Sequence, residues 1–203
     1  WQAVRYNQFV RRNILFREEE LDAGDVIMVV KNNYTVLEPE SPAGFIANGE
    51  FAEVRKIASY EEMHGFRFAD LELQLIDYPD MPPFTAKVIL DTLYSQSPSL
   101  TQEQGRRLYH EVVKSHIGEN SKKAFKALVQ QDEYLNALQI KFAYALTCHK
   151  AQGRQWPVVF IDGSGRGQNG MEDEEYYRWL YTALTRAQKE VFLINFDNTY
   201  FES

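Results

Sequence analysis

At 203 residues and 23.7 kDa, the chain has length for one to two domains and can bury roughly 70% of the surface its unfolded form would expose. Its composition, 44% hydrophobic, 25% charged and 14% aromatic with 11 glycines and 7 prolines, excludes disorder over most of its length. No apolar run approaches the ~20 residues of a membrane helix, and Trp1-Gln2-Ala3 is neither an initiator methionine nor a signal peptide. The expectation is a soluble, cytoplasmic, excised piece of a longer protein, with the lone Cys148 fitting a reducing compartment. A net charge of −7 argues mildly against nucleic acid, but its distribution matters more than its sum. Arg5, Arg11, Arg12 and Arg17 fall in a stretch without acids, whereas acids gather at Glu18-Glu19-Glu20 and Glu172-Asp173-Glu174-Glu175. A local basic surface inside an acidic whole is therefore expected.

In chain order, Val4, Phe9, Val10 and Ile14 recur at near-helical spacing and predict an amphipathic helix from Ala3 to Phe16. Val26 to Val30 reads as a buried strand, Asn48-Gly49 as a turn before a strand from Glu50 to Ile57, and Phe66–Ile76 and Thr85–Leu90 as further strands, with Phe68, Leu71, Leu73 and Leu75 as core candidates. Several short strands joined by turn residues suggest a small barrel. Thr101-Gln102-Glu103-Gln104 is a capping box opening a helix through Leu108 and Val112, and Lys122–Gln131 forms another. Leu138, Ile140, Phe142, Tyr144 and Leu146 alternate as one long strand. A short helix or turn at His149–Gly153, a buried strand at Val158–Asp162, a helix at Glu174–Gln188 and a strand at Val191–Phe196 complete the pattern. Strands alternating with helices imply parallel pairing.

Chemistry concentrates in two stretches. Thr147-Cys148-His149-Lys150-Ala151-Gln152-Gly153-Arg154-Gln155-Trp156 follows a predicted strand. Hydroxyl, ammonium and amide donors beside a close-approach glycine can hold phosphate or a nucleotide backbone there. The bland alternative is a polar turn. In Leu180-Tyr181-Thr182-Ala183-Leu184-Thr185-Arg186-Ala187, Arg186 is either a helix-terminus cation or a guanidinium fork aimed at a phosphate.

The first of these stretches resembles motif V, and Tyr181–Ala187 motif VI, of superfamily 1 helicases, in that family's order. Gly24-Asp25-Val26-Ile27-Met28, Asn32-Asn33-Tyr34 and Asn48-Gly49-Glu50 are similar to the corresponding stretch of RecD-like helicases, whose chain then builds an SH3-like barrel. The resemblance implies an α/β fold, a RecA-like parallel-sheet domain incomplete at its N-terminal edge, formed by residues 1–20 and 138–203. An SH3-like β-barrel domain with a helical addition, residues 21–137, is inserted in it. The segment from Pro79 to Asp132 has no counterpart. Trp1–Arg17 corresponds to the motif IV helix.

The same resemblance implies an ATP-dependent DNA helicase in which Arg186 is the arginine finger, with Arg5 a second candidate. Gly153, Gln155 and Thr185 would lie by the nucleotide, and Thr147, His149, Lys150, Gln152, Asn32 and Asn33 by single-stranded DNA. Many relatives carry Glu where this chain has Gln155. ATP and Mg²⁺ would be held mainly by the protein's own N-terminal RecA-like domain, and nuclease or repair subunits of the exonuclease V kind are further implied partners in DNA repair and recombination. The chain has no Gly-Lys dipeptide, hence no phosphate-binding loop, and is expected to be inactive alone.

Two rivals stand beside this reading. Gly165-Arg166-Gly167-Gln168-Asn169-Gly170 mimics a dinucleotide fingerprint, with Asp197 as the acid, but Glu172 to Glu175 would repel a pyrophosphate at the helix start. A non-enzymatic binding module would instead use exposed Tyr34, Tyr60 or Tyr78 on the barrel. No metal site is expected. His110 and His116 miss the i, i+4 spacing of a helical metal pair, and Cys148 and His149, adjacent in the chain, would point apart on an extended strand.

Overall fold

The computed structural model describes residues 2–116, 122–164 and 174–196. The chain divides into two compact units, Trp1–Ala145 and Leu146–Ser203.

The first unit opens with α1 (Gln2–Phe9), which runs into a π-helical turn, Val10–Ile14. Five strands follow: β1 (Val26–Val29), β2 (Phe51–Met63), β3 (Phe66–Leu75), β4 (Phe84–Ile89) and β5 (Leu138–Phe142). They close into a barrel in that order. Neighbours are antiparallel except β4 and β5, because the segment between those two runs through α2 (Asp91–Tyr94), α3 (Gln102–Ser115) and α4 (Lys122–Gln131) and returns the chain to the same end. Register shifts after Val54 and Ile57 bend the long β2, as bulges do in small barrels.

The period of two in β3 sorts its side chains. Leu71, Leu73 and Leu75 fill the barrel with Ile27, Val54, Val88, Ile140 and Phe142. Phe66 and Phe68, on the opposite face, form a second cluster with Ile89 and with Leu108 and Val112 of α3. That cluster seats the helical addition on the barrel. The Thr101 capping box expected from sequence is present, its hydroxyl accepting from the Gln104 N–H while the Gln104 side chain accepts from the Thr101 N–H.

The fully buried face of the first helix is not the expected one, of which Val4 and Val10 are half-buried. Phe9, Ile14, Leu15 and Phe16 are exposed, and the residues turned inward are Asn7 and Arg11. One turn apart on the same face, these two meet polar partners fixed by the barrel. The Asn7 amide donates to the Ala145 carbonyl at 2.8 Å and accepts from the N–H groups of Tyr144 and Ala145 at 2.8 and 2.9 Å. The Arg11 guanidinium, 1% exposed, bonds Asp25 at 2.8 and 3.0 Å and Asp22 at 2.9 Å, and lies 4.3 Å from the centre of the Phe142 ring. Arg17 reaches Asp25 at 2.7 Å and the carbonyl of Gly24 at 2.9 Å. Gly24 has φ +82°, and a Cβ there would come within 3.0 Å of that guanidinium. Two of the four arginines of the expected basic surface are thus neutralised internally.

Burial by itself would raise the Asp25 carboxyl, but hydrogen bonds from Arg11, the Asp22 N–H and the Tyr144 hydroxyl, with the Arg11 charge, hold it below its ordinary value. Tyr144 is pushed up to about 12 by burial and by the hydrogen bond and charge of Asp25.

The second unit contains a 3₁₀ turn (Cys148–Ala151), β6 (Trp156–Asp162), α5 (Glu174–Leu184) and β7 (Ala187–Ile194). β6 and β7 pair in parallel, as a strand–helix–strand order implies. Ile161, Tyr176 and Ala183 are buried, whereas Val158, Phe160, Phe192 and Ile194 are exposed. The strand expected to be buried is therefore covered on one face only. Phe160 is 65% exposed and stacks on Phe192 at 4.9 Å.

Several boundaries differ from expectation: β2 runs on past Ile57 to Met63. The alternation from Leu138 to Leu146 is a strand only to Phe142, and that strand closes the barrel instead of joining the later sheet. Its continuation is diverted because the backbone of Tyr144 and Ala145 bonds to Asn7. The helix expected to reach Gln188 stops at Leu184, and Ala187 already belongs to β7.

Candidate functional site

The second unit brings the two chemistry-bearing stretches together. The Thr147 carbonyl accepts from the N–H groups of Lys150 and Ala151 at 2.9 and 3.1 Å, which winds the residues after it into the 3₁₀ turn. The Cys148 sulfur lies 3.6 Å from the Trp179 carbonyl of α5, while Thr147, His149 and Gln152 are exposed. Gly153 ends the turn at φ +84° with open space where a Cβ would stand, so backbone freedom, not crowding, calls for glycine there.

Three hydrogen bonds then join this stretch to the end of α5. The Trp156 N–H donates to the Arg186 carbonyl at 2.8 Å, the Gln155 amide to the Thr185 carbonyl at 3.1 Å, and Arg186 Nη1 to the Arg154 carbonyl at 3.1 Å. Arg186 also donates through Nε to the Thr182 carbonyl at 2.9 Å and through Nη2 to the Thr185 hydroxyl at 3.0 Å. The Thr185 hydroxyl lies 2.9 Å from the Tyr181 carbonyl.

Every acceptor of Arg186 is neutral. Among the described residues no carboxylate pairs with it, and a guanidinium has five N–H donors, so donors and a full charge remain for an anion. Arg186 thus lies at the end of α5, bonded to the Thr182 carbonyl there, with no carboxylate partner among the described residues. Gln155 has spent its amide nitrogen on Thr185 but retains its oxygen as an acceptor. The acceptors that fix Arg186 include Thr182 and the Arg154 carbonyl, which sequence reasoning missed. Thr182, four residues before Arg186, was legible from helical spacing; a loop carbonyl carries no sequence signal.

The remaining candidates lie in the first unit. Arg5 is exposed on α1. Asn32 is exposed, donates to the Tyr34 hydroxyl at 2.9 Å and accepts from the Asn48 N–H at 2.8 Å. Asn33, 8% exposed, donates to the Asn136 carbonyl at 2.7 Å and accepts from the N–H groups of Thr35 and Val36 at 3.0 and 2.9 Å. Such a residue holds a loop, with little left to offer a strand. Tyr34 is exposed and stacks on Phe45, Tyr60 is exposed with its hydroxyl 3.3 Å from the Leu21 carbonyl, and Tyr78 packs against the barrel core. The Gly165–Gly170 fingerprint and Asp197 lie outside the described residues.

Residues 142–194 match the family model of the UvrD-like helicase C-terminal domain. The match supports a superfamily 1 helicase C-terminal region. It takes in the 3₁₀ turn, β6, α5, Arg186 and β7, and leaves the barrel up to Lys141 outside. No curated protein sequence matches the chain. Among the described residues no helix is long and apolar enough to cross a membrane.

Proposed function

We propose that this chain is the C-terminal part of a RecD-like, ATP-dependent DNA helicase. The observation that carries the proposal is the uncompensated guanidinium of Arg186, fixed to both the end of α5 and the loop before β6 by neutral acceptors, inside a segment matched to a helicase C-terminal domain. In this reading the second unit belongs to a RecA-like domain and the barrel is its SH3-like insertion. The exposed apolar face of the β6–β7 sheet supports further structure beside it, since a lone two-stranded sheet is marginal in water.

ATP, held with Mg²⁺ mainly by an N-terminal RecA-like domain, supplies the phosphoryl group whose transfer to water drives the motor. Arg186 would present its unused N–H groups to the γ-phosphate and offset charge there, a contribution worth on the order of 10³–10⁵ in rate in other phosphoryl-transfer enzymes. The Gln155 oxygen would accept from a sugar hydroxyl, beside Gly153 and Thr185. Thr147, His149, Lys150 and Gln152 would contact single-stranded DNA on the exposed turn, so that strand and nucleotide act on one bonded assembly. No residue of this chain is assigned to the metal.

In the full-length protein, Arg186→Ala should lose nearly all DNA-stimulated ATP hydrolysis while nucleotide still binds, and Arg186→Lys should recover little because a point charge does not replace the fork. Near-normal turnover in either variant removes the finger assignment.

A further inference from the structure

The helical addition meets the barrel around a groove of about 740 Å³, within the roughly 300–1,000 Å³ of ligand pockets. Among its lining residues are Lys31, Leu100, Arg106, Tyr109, His110 and Gln139, and no Asp or Glu lines it. In a chain of net charge −7 an acid-free groove with two permanent cations marks where an anion is preferred. The side chains of Lys31 and Arg106 are exposed and have no hydrogen bond or ion pair among the described residues, in contrast to those of Arg11 and Arg17.

A further group offers the groove a neutral donor. Gln139 on β5 is 9% exposed, and its Oε1 accepts from the Leu100 N–H at 2.9 Å. That bond fixes which end of the amide is oxygen, and it leaves Nε2 without an acceptor among the described residues although the side chain lines the groove. Nε2 is open to the groove as a donor, and a groove ligand with an acceptor oxygen would engage it. Tyr109, 53% exposed, offers an aromatic face in the same groove. The end of α3 is not the attraction here, because its capping box already satisfies the first turn.

From these placements we infer that the groove between α3 and β5 binds a segment of single-stranded nucleic acid. Phosphates would sit on Lys31 and Arg106, a base would stack on Tyr109, and a base carbonyl would accept from Gln139 Nε2. A cation pair beside an exposed ring is the combination that tracks a strand by backbone charge and stacking. The inference rests on the reading of the chain as part of a DNA helicase, and it gives the helical addition a second strand contact separate from the 147–153 turn.

The test is fluorescence anisotropy of a labelled oligo(dT) with the whole chain at several salt concentrations, with unchanged circular dichroism as the folding control. Lys31→Ala/Arg106→Ala should weaken binding about tenfold or more and flatten the salt dependence by roughly 0.7 for each phosphate no longer neutralised. Tyr109→Leu should weaken it about tenfold without changing the slope. Gln139→Glu keeps the acceptor for Leu100 but removes the donor, and should weaken it as well. If these variants bind as the parent does while Lys150→Ala binds less tightly, the groove inference fails and the helicase reading stands. If Lys150→Ala is silent and the groove variants are weak, the groove stands and the strand role of the 147–153 turn falls. No binding by the parent chain at the lowest salt overturns both. Competition by poly-glutamate equal to that by oligo(dT), with Tyr109→Leu silent, overturns the nucleic-acid assignment in favour of an acidic peptide.

Discussion

Two arginines in the two units are treated in opposite ways. Arg11 is sealed between Asp22 and Asp25, its charge matched by carboxylates and its plane set on Phe142. Arg186 is held as firmly by geometry, but only by two carbonyls and a hydroxyl. The first arrangement spends a cation on architecture, because a buried charge without a partner is costly. The second fixes the direction of a cation without cancelling it, which is what recognition of an incoming anion requires. Hydrogen-bond count does not distinguish these roles; the formal charge of the acceptors does.

That contrast predicts where each unit breaks. Arg11→Met should cost the barrel about 3–5 kcal/mol, since Asp25 is left buried without its main partner. Amide hydrogen exchange should show β1 to β5 losing protection while β6 and β7 keep theirs, and equal loss in both units would deny that they are separate. The same pair sets an acid response. Because the folded Asp25 carboxyl titrates below its unfolded value, near 3.9, its stabilisation is complete above that value and disappears as pH falls through the lowered folded one. The stability gap between the parent chain and Asp25→Asn should therefore be constant from pH 5 to 8 and shrink below about pH 4, as measured by urea unfolding. A gap that widens with acid would contradict the arrangement.

Smaller effects sharpen the comparison. Asn33→Ala should destabilise the barrel by about 1–3 kcal/mol and leave oligo(dT) affinity unchanged; weaker binding at unchanged stability would restore Asn33 as a strand contact. Gln155→Glu replaces the amide donor to the Thr185 carbonyl with an acceptor, and should lower the thermal midpoint of the second unit by an amount corresponding to about 1 kcal/mol. The helicase resemblance would place Glu at this position, so a stabilised Gln155→Glu variant would show that the bond to Thr185 is incidental.

Much of the scaffold was legible in the sequence because it follows periodicity. The alternation of Leu71, Leu73 and Leu75 was readable as a core face, the Thr101 box as a helix start, and the Thr147–Gly153 stretch as a polar turn. Less legible was whatever depended on a distant partner. The apolar positions of the first helix suggested the wrong buried face, because nothing local shows that Asn7 will meet the backbone at Tyr144 or that Arg11 will meet Asp25. The boundary after Phe142 was hidden for the same reason. At the candidate site the residues of both stretches could be picked out from their types, whereas the neutrality of the acceptors around Arg186 depends on a loop carbonyl and was not readable.

The closure of the barrel by β5 also bears on how the chain is made. Ile27 pairs with Phe142, and Asn7 grips the backbone of Tyr144 and Ala145. On the ribosome, β1 therefore waits for more than a hundred further residues before its second edge is covered, and contacts of such separation slow folding. During that interval the apolar strand is open to wrong partners. A shortened chain that stops before Leu138 would be held in that state permanently, and one that stops between Phe142 and Ala145 would close the barrel but lose contacts of Asn7.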